Sequence, residues 1–225
     1  MKNNKPGTIW GKKHYNIRNV SKYHLEPAPF IRDAVRFLKE NGVKTILDAG
    51  CGQGRNSLYL KKQNFDVISV DASKEACKLT KQLFKKNNFN FFPINSELQS
   101  MPKIQSNSAD AIICVTVLTH IFDPEIVLKE FYRILKPGGF LVADLANNKD
   151  STFPIISKTG TPLGKNVFLE KGTNVKYFED VEDVKTLFHR FKILSSQDIT
   201  FEEPPHPGSR PYKHKHSSFV ITAKK

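Results

Sequence analysis

Apolar positions in this chain fall into short runs separated by amphipathic stretches, the pattern of strands alternating with helices. A helix is expected from near Glu26-Pro27, with proline suited to its first turn and Phe30, Val35, Phe37 and Leu38 on one face. Val43 to Asp48 reads as a first strand and Arg55 to Gln63 as the helix it feeds. Phe65 to Asp71 is a half-alternating run ending in an acid, and Ser73 is placed to cap a helix reaching about Lys86. Phe89 to Ile94 and Ala111 to Leu118 read as strands three and four, and Asp123-Pro124 opens the next helix. That helix closes in Arg133-Ile134-Leu135-Lys136-Pro137-Gly138-Gly139 before a fifth apolar strand. Parallel strands joined by helices require right-handed crossovers, so the expected core is an α/β, doubly wound, mostly parallel sheet.

The pattern changes after Leu145. Residues 146–174 are rich in Asn, Thr, Gly and Pro and read as a loop insert, with Phe153 and Phe168 as apolar points that suit a lid over a site. A helix over Glu179 to Phe188, a strand over Phe191 to Phe201, a proline-rich turn at 204–211 and a strand over His216 to Ala223 complete the chain. Residues 1–25 form a polar arm with embedded Trp10 and Tyr15, and 26–225 a single domain, a size that sustains one α/β core.

The densest chemistry lies where the first strand meets its helix: Asp48-Ala49-Gly50-Cys51-Gly52-Gln53-Gly54, with Asp71 about 20 residues on. Glycines let the backbone turn tightly and a ligand approach without a Cβ, and an acid ending the second strand can accept hydrogen bonds from ribose hydroxyls. The dinucleotide pattern Gly-X-Gly-X-X-Gly would need a third glycine where Arg55 stands, which argues against NAD. The Gly-X-Gly-X-Gly spacing, Asp71, the acid of Glu97-Leu98 and the Arg-X-Leu-Lys-Pro-Gly-Gly close resemble the class I S-adenosylmethionine-dependent methyltransferases over roughly residues 26 to 145. Gly54-Arg55-Asn56-Ser57, together with Trp10 and Tyr15, is loosely most similar to the tellurite-resistance branch.

That resemblance implies a seven-stranded sheet whose last strand is inserted antiparallel, and S-adenosylmethionine as cofactor. It implies a cofactor site built from Tyr15, Asp48, Gly50, Gly52, Gly54, Arg55, Asp71, Ala72, Glu97, Leu98 and Val115. Asp48 would lie near the methionine ammonium or bond only loop amides, and Arg55 would face the methionine carboxylate or solvent. Glu97, or its neighbour Ser96, would reach the adenine amino group. Tyr15 and Trp10 would fold over the cofactor or serve as core aromatics. On the acceptor side His120 follows strand four and is a candidate base, with packing as the alternative. His206, Arg210, His214 and His216 gather around the last turn as a basic pocket or a solvated surface; their spacing does not suit a metal site. Methyl transfer needs chiefly in-line placement of the acceptor behind an already activated methyl, so no fixed triad is expected.

Charge and composition narrow the partners. The net charge of +13 is concentrated in residues 1–25 and 204–225, which contain no acid, while the middle is nearly balanced. Basic ends attract anions, nucleic acid included, or simply decorate solvated termini. No Asp/Asn-Pro-Pro-aromatic tetrapeptide follows strand four and no cysteine follows a proline, so adenine-N6 and cytosine-C5 enzymes lose support. The expected acceptor is a small molecule such as a thiol or metalloid oxyanion; an RNA or tRNA methyltransferase and a non-catalytic cofactor-binding domain are the competing readings. Three cysteines without metal-like spacing, no visible signal peptide and no run long enough for a bilayer suggest a cytoplasmic protein without a membrane partner.

Overall fold

A computed structural model describes residues 26–170, 172–203 and 214–225. The elements follow as α1 (Ile31–Glu40), β1 (Thr45–Ala49), α2 (Arg55–Lys62), β2 (Asp66–Asp71), α3 (Lys74–Lys86), β3 (Ile94–Asn95), β4 (Ala109–Cys114), a 3-10 turn (Leu118–His120), α4 (Pro124–Ile134) and β5 (Leu135–Ala146). Then come α5 (Phe153–Thr159), β6 (Thr161–Gly164), β7 (Val167–Glu170), β8 (Thr173–Lys176), α6 (Val181–Leu187), β9 (Lys192–Glu203) and β10 (His214–Lys224). Seven strands form one sheet in the order β3-β2-β1-β4-β5-β10-β9. The first five are parallel, and β10 runs antiparallel to both neighbours.

Alternation along the strands sorts the core onto two faces. Leu47, Ala49, Ile112, Cys114, Leu141 and Ala143 pack with Val127, Leu128 and Phe131 of α4 and Val184 of α6. Ile46, Ala111, Ile113 and Val142 point the other way, onto Ile31, Val35 and Leu38 of α1 and Leu60 of α2. The α3 start is capped as its sequence suggests, the Ala76 amide donating to Ser73 Oγ at 3.2 Å. Asp123 caps α4, accepting from the Glu125 amide, with Pro124 at the first helical position. Arg133 of the Arg-X-Leu-Lys-Pro-Gly-Gly segment donates to Met101 O, Ile104 O and Glu130, tying the α4 end to the loop before β4.

Three expectations need correction. The 146–174 stretch is not a long loop: α5 and the antiparallel sheet β6-β7-β8 make it a small folded unit, with its own cluster of Phe168, Val175 and Tyr177 under Phe153. The third strand is confined to Ile94–Asn95, because Phe89 and Phe91 turn onto Phe84 of α3 instead of extending the ladder; the Phe84 and Phe91 rings stack at 4.0 Å. The first helix starts at Ile31 instead of beside Pro27, since the Ala28 amide is held by Asn56 Oδ1 from α2.

Candidate functional site

The C-terminal ends of β1, β2 and β4 meet at the edge where open α/β sheets bind ligands, and most of the expected cofactor residues gather there. Gly50 and Gly54 have φ of +78° and +87°, and added Cβ atoms would lie 2.3 Å from Val117 Cγ2 and 2.8 Å from Thr80 Cγ2. The turn therefore leaves no room for side chains at these two positions. It is pinned from outside as well, for Thr80 Oγ1 donates to Gly52 O at 2.9 Å.

Asp71 ends β2 with both carboxylate oxygens engaged: Oδ2 accepts from the Gly52 amide at 2.9 Å and Oδ1 from the Ser73 amide at 2.8 Å. Each oxygen keeps a second lone pair for a hydroxyl. Burial pushes this carboxyl up, the two amides work against that, and the negative charge of Glu97 adds to it. Glu97 follows β3 at the same sheet edge, where Asn95 pairs with Asp71 and the Ser96 amide donates to Asp71 O at 3.1 Å. Ala72 is half-buried beside Asp71, its carbonyl accepting from Asn95 Nδ2, while Leu98 and Val115 are buried, Val115 directly after β4.

Asp48 lies deeper than an exposed ligand contact. It is 1% exposed and accepts from Ser57 Oγ at 2.5 Å, and Ser69 Oγ donates to Ser57 Oγ at 2.7 Å. Burial above all raises its carboxyl to about 7; the Ser57 hydroxyl and Arg55 lower it, and Asp71 raises it further. Arg55, at the start of α2, bears on both Asp48 and Asp144.

His120, in the 3-10 turn after β4, is half-buried with Nδ1 3.1 Å from Asn174 O of β8. A carbonyl only accepts, so Nδ1 carries the hydrogen and the lone pair of the neutral ring sits on Nε2. The insert thus abuts the mouth of β4, and it buries Thr173 Oγ1 and Asn174 Nδ2 without hydrogen-bond partners among the described residues. Tyr15, His206 and Arg210 lie outside the described residues.

Two acids escaped the sequence reading. Asp144, buried in β5, accepts from the Thr116 amide at 2.5 Å. Thr116 itself has φ of +58°, a rare conformation for a β-branched residue. Burial raises the Asp144 carboxyl, opposed by the Thr116 amide and the charges of His216 and Arg55. Its signal in the sequence was a lone acid inside Phe140-Leu141-Val142-Ala143-Asp144-Leu145-Ala146. Asp150 is also buried and binds His216; nothing in Asn147-Asn148-Lys149-Asp150 announces that. Among the described residues no group of three or more His, Cys, Asp and Glu could hold a metal ion.

Residues 47–143 match the Methyltransf_11 family model, a methyltransferase domain. A glycine/sarcosine N-methyltransferase of Aphanothece halophytica is 32% identical over 146 residues, 63% of this chain and 53% of that protein. The chain spans about half, or less, of the length of the curated relatives it matches. A SAM-dependent methyltransferase structure from Methanosarcina mazei aligns with TM-score 0.69 at 23% identity, over 89% of this chain and 98% of the other. TehB from Haemophilus influenzae aligns with TM-score 0.63 at 20% identity, over 96% of this chain and 65% of the other. At these identities the likeness to both structures is one of fold. Residues 47–143 thus match a methyltransferase domain, and the chain shares the fold of the solved methyltransferase structure from Methanosarcina mazei.

Proposed function

We propose that this chain transfers the methyl group of S-adenosylmethionine to a nucleophile on a small molecule, with an amine as the acceptor class. The observation that carries the reading is the joint placement of the side-chain-free turn at 50–54, the doubly anchored Asp71 and the neighbouring Glu97 at one sheet edge. Ribose hydroxyls would lie against Asp71, the adenine beside Glu97 and Leu98, and the methionine end toward Arg55 and Val115. Asp48 would act from behind the turn, holding Ser57 at the start of α2.

An amine is preferred to the thiol or metalloid oxyanion of the tellurite-type resemblance on one ground. The curated relatives that match at about one-third identity act on glycine and sarcosine by name, whereas the likeness to TehB is one of fold. No described helix is long and apolar enough to cross a membrane, and free Cys51, Cys77 and Cys114 suit a reducing cytoplasm.

Calorimetry with S-adenosylmethionine, S-adenosylhomocysteine and NAD tests the cofactor; the first two should bind and NAD should not. Release of S-adenosylhomocysteine is then measured with glycine, sarcosine, a thiol, a phenol, tellurite and tRNA. Turnover confined to tRNA would overturn the small-molecule reading, and turnover confined to the thiol or tellurite would overturn the amine.

A further inference from the structure

The turn after β5 and the first residues of β10 close a hydrogen-bonded series of titratable groups that cofactor binding does not use. Asp150, 2% exposed, accepts at Oδ1 from the Thr152 amide (2.9 Å) and hydroxyl (2.5 Å). At Oδ2 it accepts from the Ser217 amide (3.2 Å) and faces His216 Nδ1 at 2.9 Å. Thr152 Oγ1 also lies 2.7 Å from the Tyr177 hydroxyl, so the folded insert braces the turn. Burial pushes the Asp150 carboxyl up, but the hydrogen bond and charge of His216 and the Thr152 donors outweigh it and hold the group below the usual carboxylate range.

An ionised carboxylate can only accept, so His216 carries its hydrogen on Nδ1 and meets its other neighbour through Nε2. That neighbour is His214, whose Nε2 lies 3.1 Å away. Two ring nitrogens at this separation share one hydrogen. In the neutral pair His214 donates to His216; after one proton is gained, His216 becomes an imidazolium and the donor. The new positive charge then rests against Asp150, which spares the protein an unpaired buried ion.

The pair stands at the ligand edge. Because β10 runs antiparallel to β5, its first residues lie where the parallel strands end, and Asn147 donates to Ser217 O there. The charge of His216 bears on Asp144, which holds the Thr116 amide one residue beyond Val115. Charged residues near the pair, among the described residues, include Asp150 from the turn, Asp144 from β5, Lys215 between the two histidines, and on β9 Glu203 and Glu202, in register with His214 and Lys215. Lys149 and Asp198 form an ion pair at the border of the turn, and the Phe201 ring of β9 lies 5.6 Å from that of His216.

We propose that the Asp150–His216–His214 series receives the proton that an amine acceptor loses on methylation. The inference rests on the methyltransferase reading above. The nitrogen–carbon bond forms as the carbon–sulfur bond of the sulfonium breaks, and that electron pair stays on sulfur as a thioether. The acceptor's N–H proton enters at Nδ1 of His214 while the hydrogen of the Nε2 bridge crosses to His216, leaving a neutral methylated amine and a His216 imidazolium paired with Asp150.

The test has two arms on the full chain. Histidine-selective nitrogen NMR of the S-adenosylhomocysteine complex should find neutral His216 in the Nδ1–H form. Asp150→Asn should shift it toward Nε2–H. In turnover with glycine or sarcosine, His216→Gln should lower kcat by about 10²-fold, leave KM nearly unchanged, and remove the acid limb of the pH–rate profile. Retained S-adenosylhomocysteine binding shows that the variant is folded. An Nε2–H tautomer in the unmodified chain, or full kcat with an unchanged pH profile in His216→Gln, overturns the proposal. If the unmodified chain methylates no probe, the functional reading fails by itself, and the tautomer decides whether the series is set to take up a proton.

Discussion

Gly50→Ala is the sharpest single perturbation of the glycine turn at 50–54, and its cost can be divided. Gly50 has φ of +78° and its added methyl would meet Val117 Cγ2 at 2.3 Å. The left-handed backbone costs an alanine roughly 1–2 kcal/mol, and forcing an extra carbon into packed space adds roughly 1–3 kcal/mol. Gly42 supplies the control, with φ of +70° and nothing within 4 Å of an added Cβ. Gly42→Ala should therefore show the backbone part alone. For a domain of this size 1 kcal/mol corresponds to roughly 2–4 °C in Tm. Gly42→Ala should lower Tm by about 2–8 °C and Gly50→Ala by about 4–20 °C, the excess being the Val117 contact. Thermal unfolding followed by circular dichroism measures both. Val117→Ala in the Gly50→Ala background should recover much of the excess, since it removes the nearest atoms. Equal losses for the two glycines, or no recovery in the double variant, would refute the steric argument. Calorimetry on Gly50→Ala should also show weakened S-adenosylmethionine binding, because Val117 follows the β4 mouth directly.

Three other outcomes are expected. Asp71→Ala should weaken S-adenosylmethionine binding by roughly 1.5–3 kcal/mol, and calorimetry showing undiminished affinity would remove Asp71 from the ribose site. The Asp48 carboxyl, raised to about 7 mainly by burial, holds its proton more tightly in the folded chain than in the unfolded one. Its contribution to stability is therefore full below about pH 4 and lost as pH rises through about 7, on the order of 4 kcal/mol in all. Asp48→Asn should flatten that decline in denaturant titrations at several pH values, and an unchanged slope would count against the buried acid. Thr116→Asn should be neutral or raise Tm slightly, since asparagine tolerates a φ of +58° better than threonine while the backbone amide still reaches Asp144. A marked loss of Tm would show that the threonine side chain contributes to stability there.

The parallel half of the sheet was legible because its strands are buried on both faces and end in residues with special geometry. Asp71 and Gly50 are examples, each at the strand end that its sequence position suggests. The insert was not legible, because β6, β7 and β8 are four residues each and interrupted by Pro162 and Gly164. Runs that short give no measurable period. Phe89 and Phe91 misled for the opposite reason: their apolar character serves Phe84 of α3 and not a strand ladder. In the candidate site, the glycine turn and Asp71 are local in sequence, and the structure brings them together as their spacing suggests. Asp150 could not, since its partners Ser217 and His216 are brought to it only by the return of β10.

That return sets an order on synthesis. Last in sequence among the seven strands, β10 occupies an interior lane, hydrogen-bonded along β5 on one side and β9 on the other. Until it has been made, β5 presents the apolar backs of Leu141, Ala143 and Leu145 beside an open row of amides and carbonyls. A growing chain thus holds a nearly finished parallel sheet with one adhesive border for as long as translation needs to cross the insert, α6 and β9. The docking of β10 is a long-range contact, slow by topology, and errors of assembly such as strand exchange between neighbouring nascent chains belong to that interval.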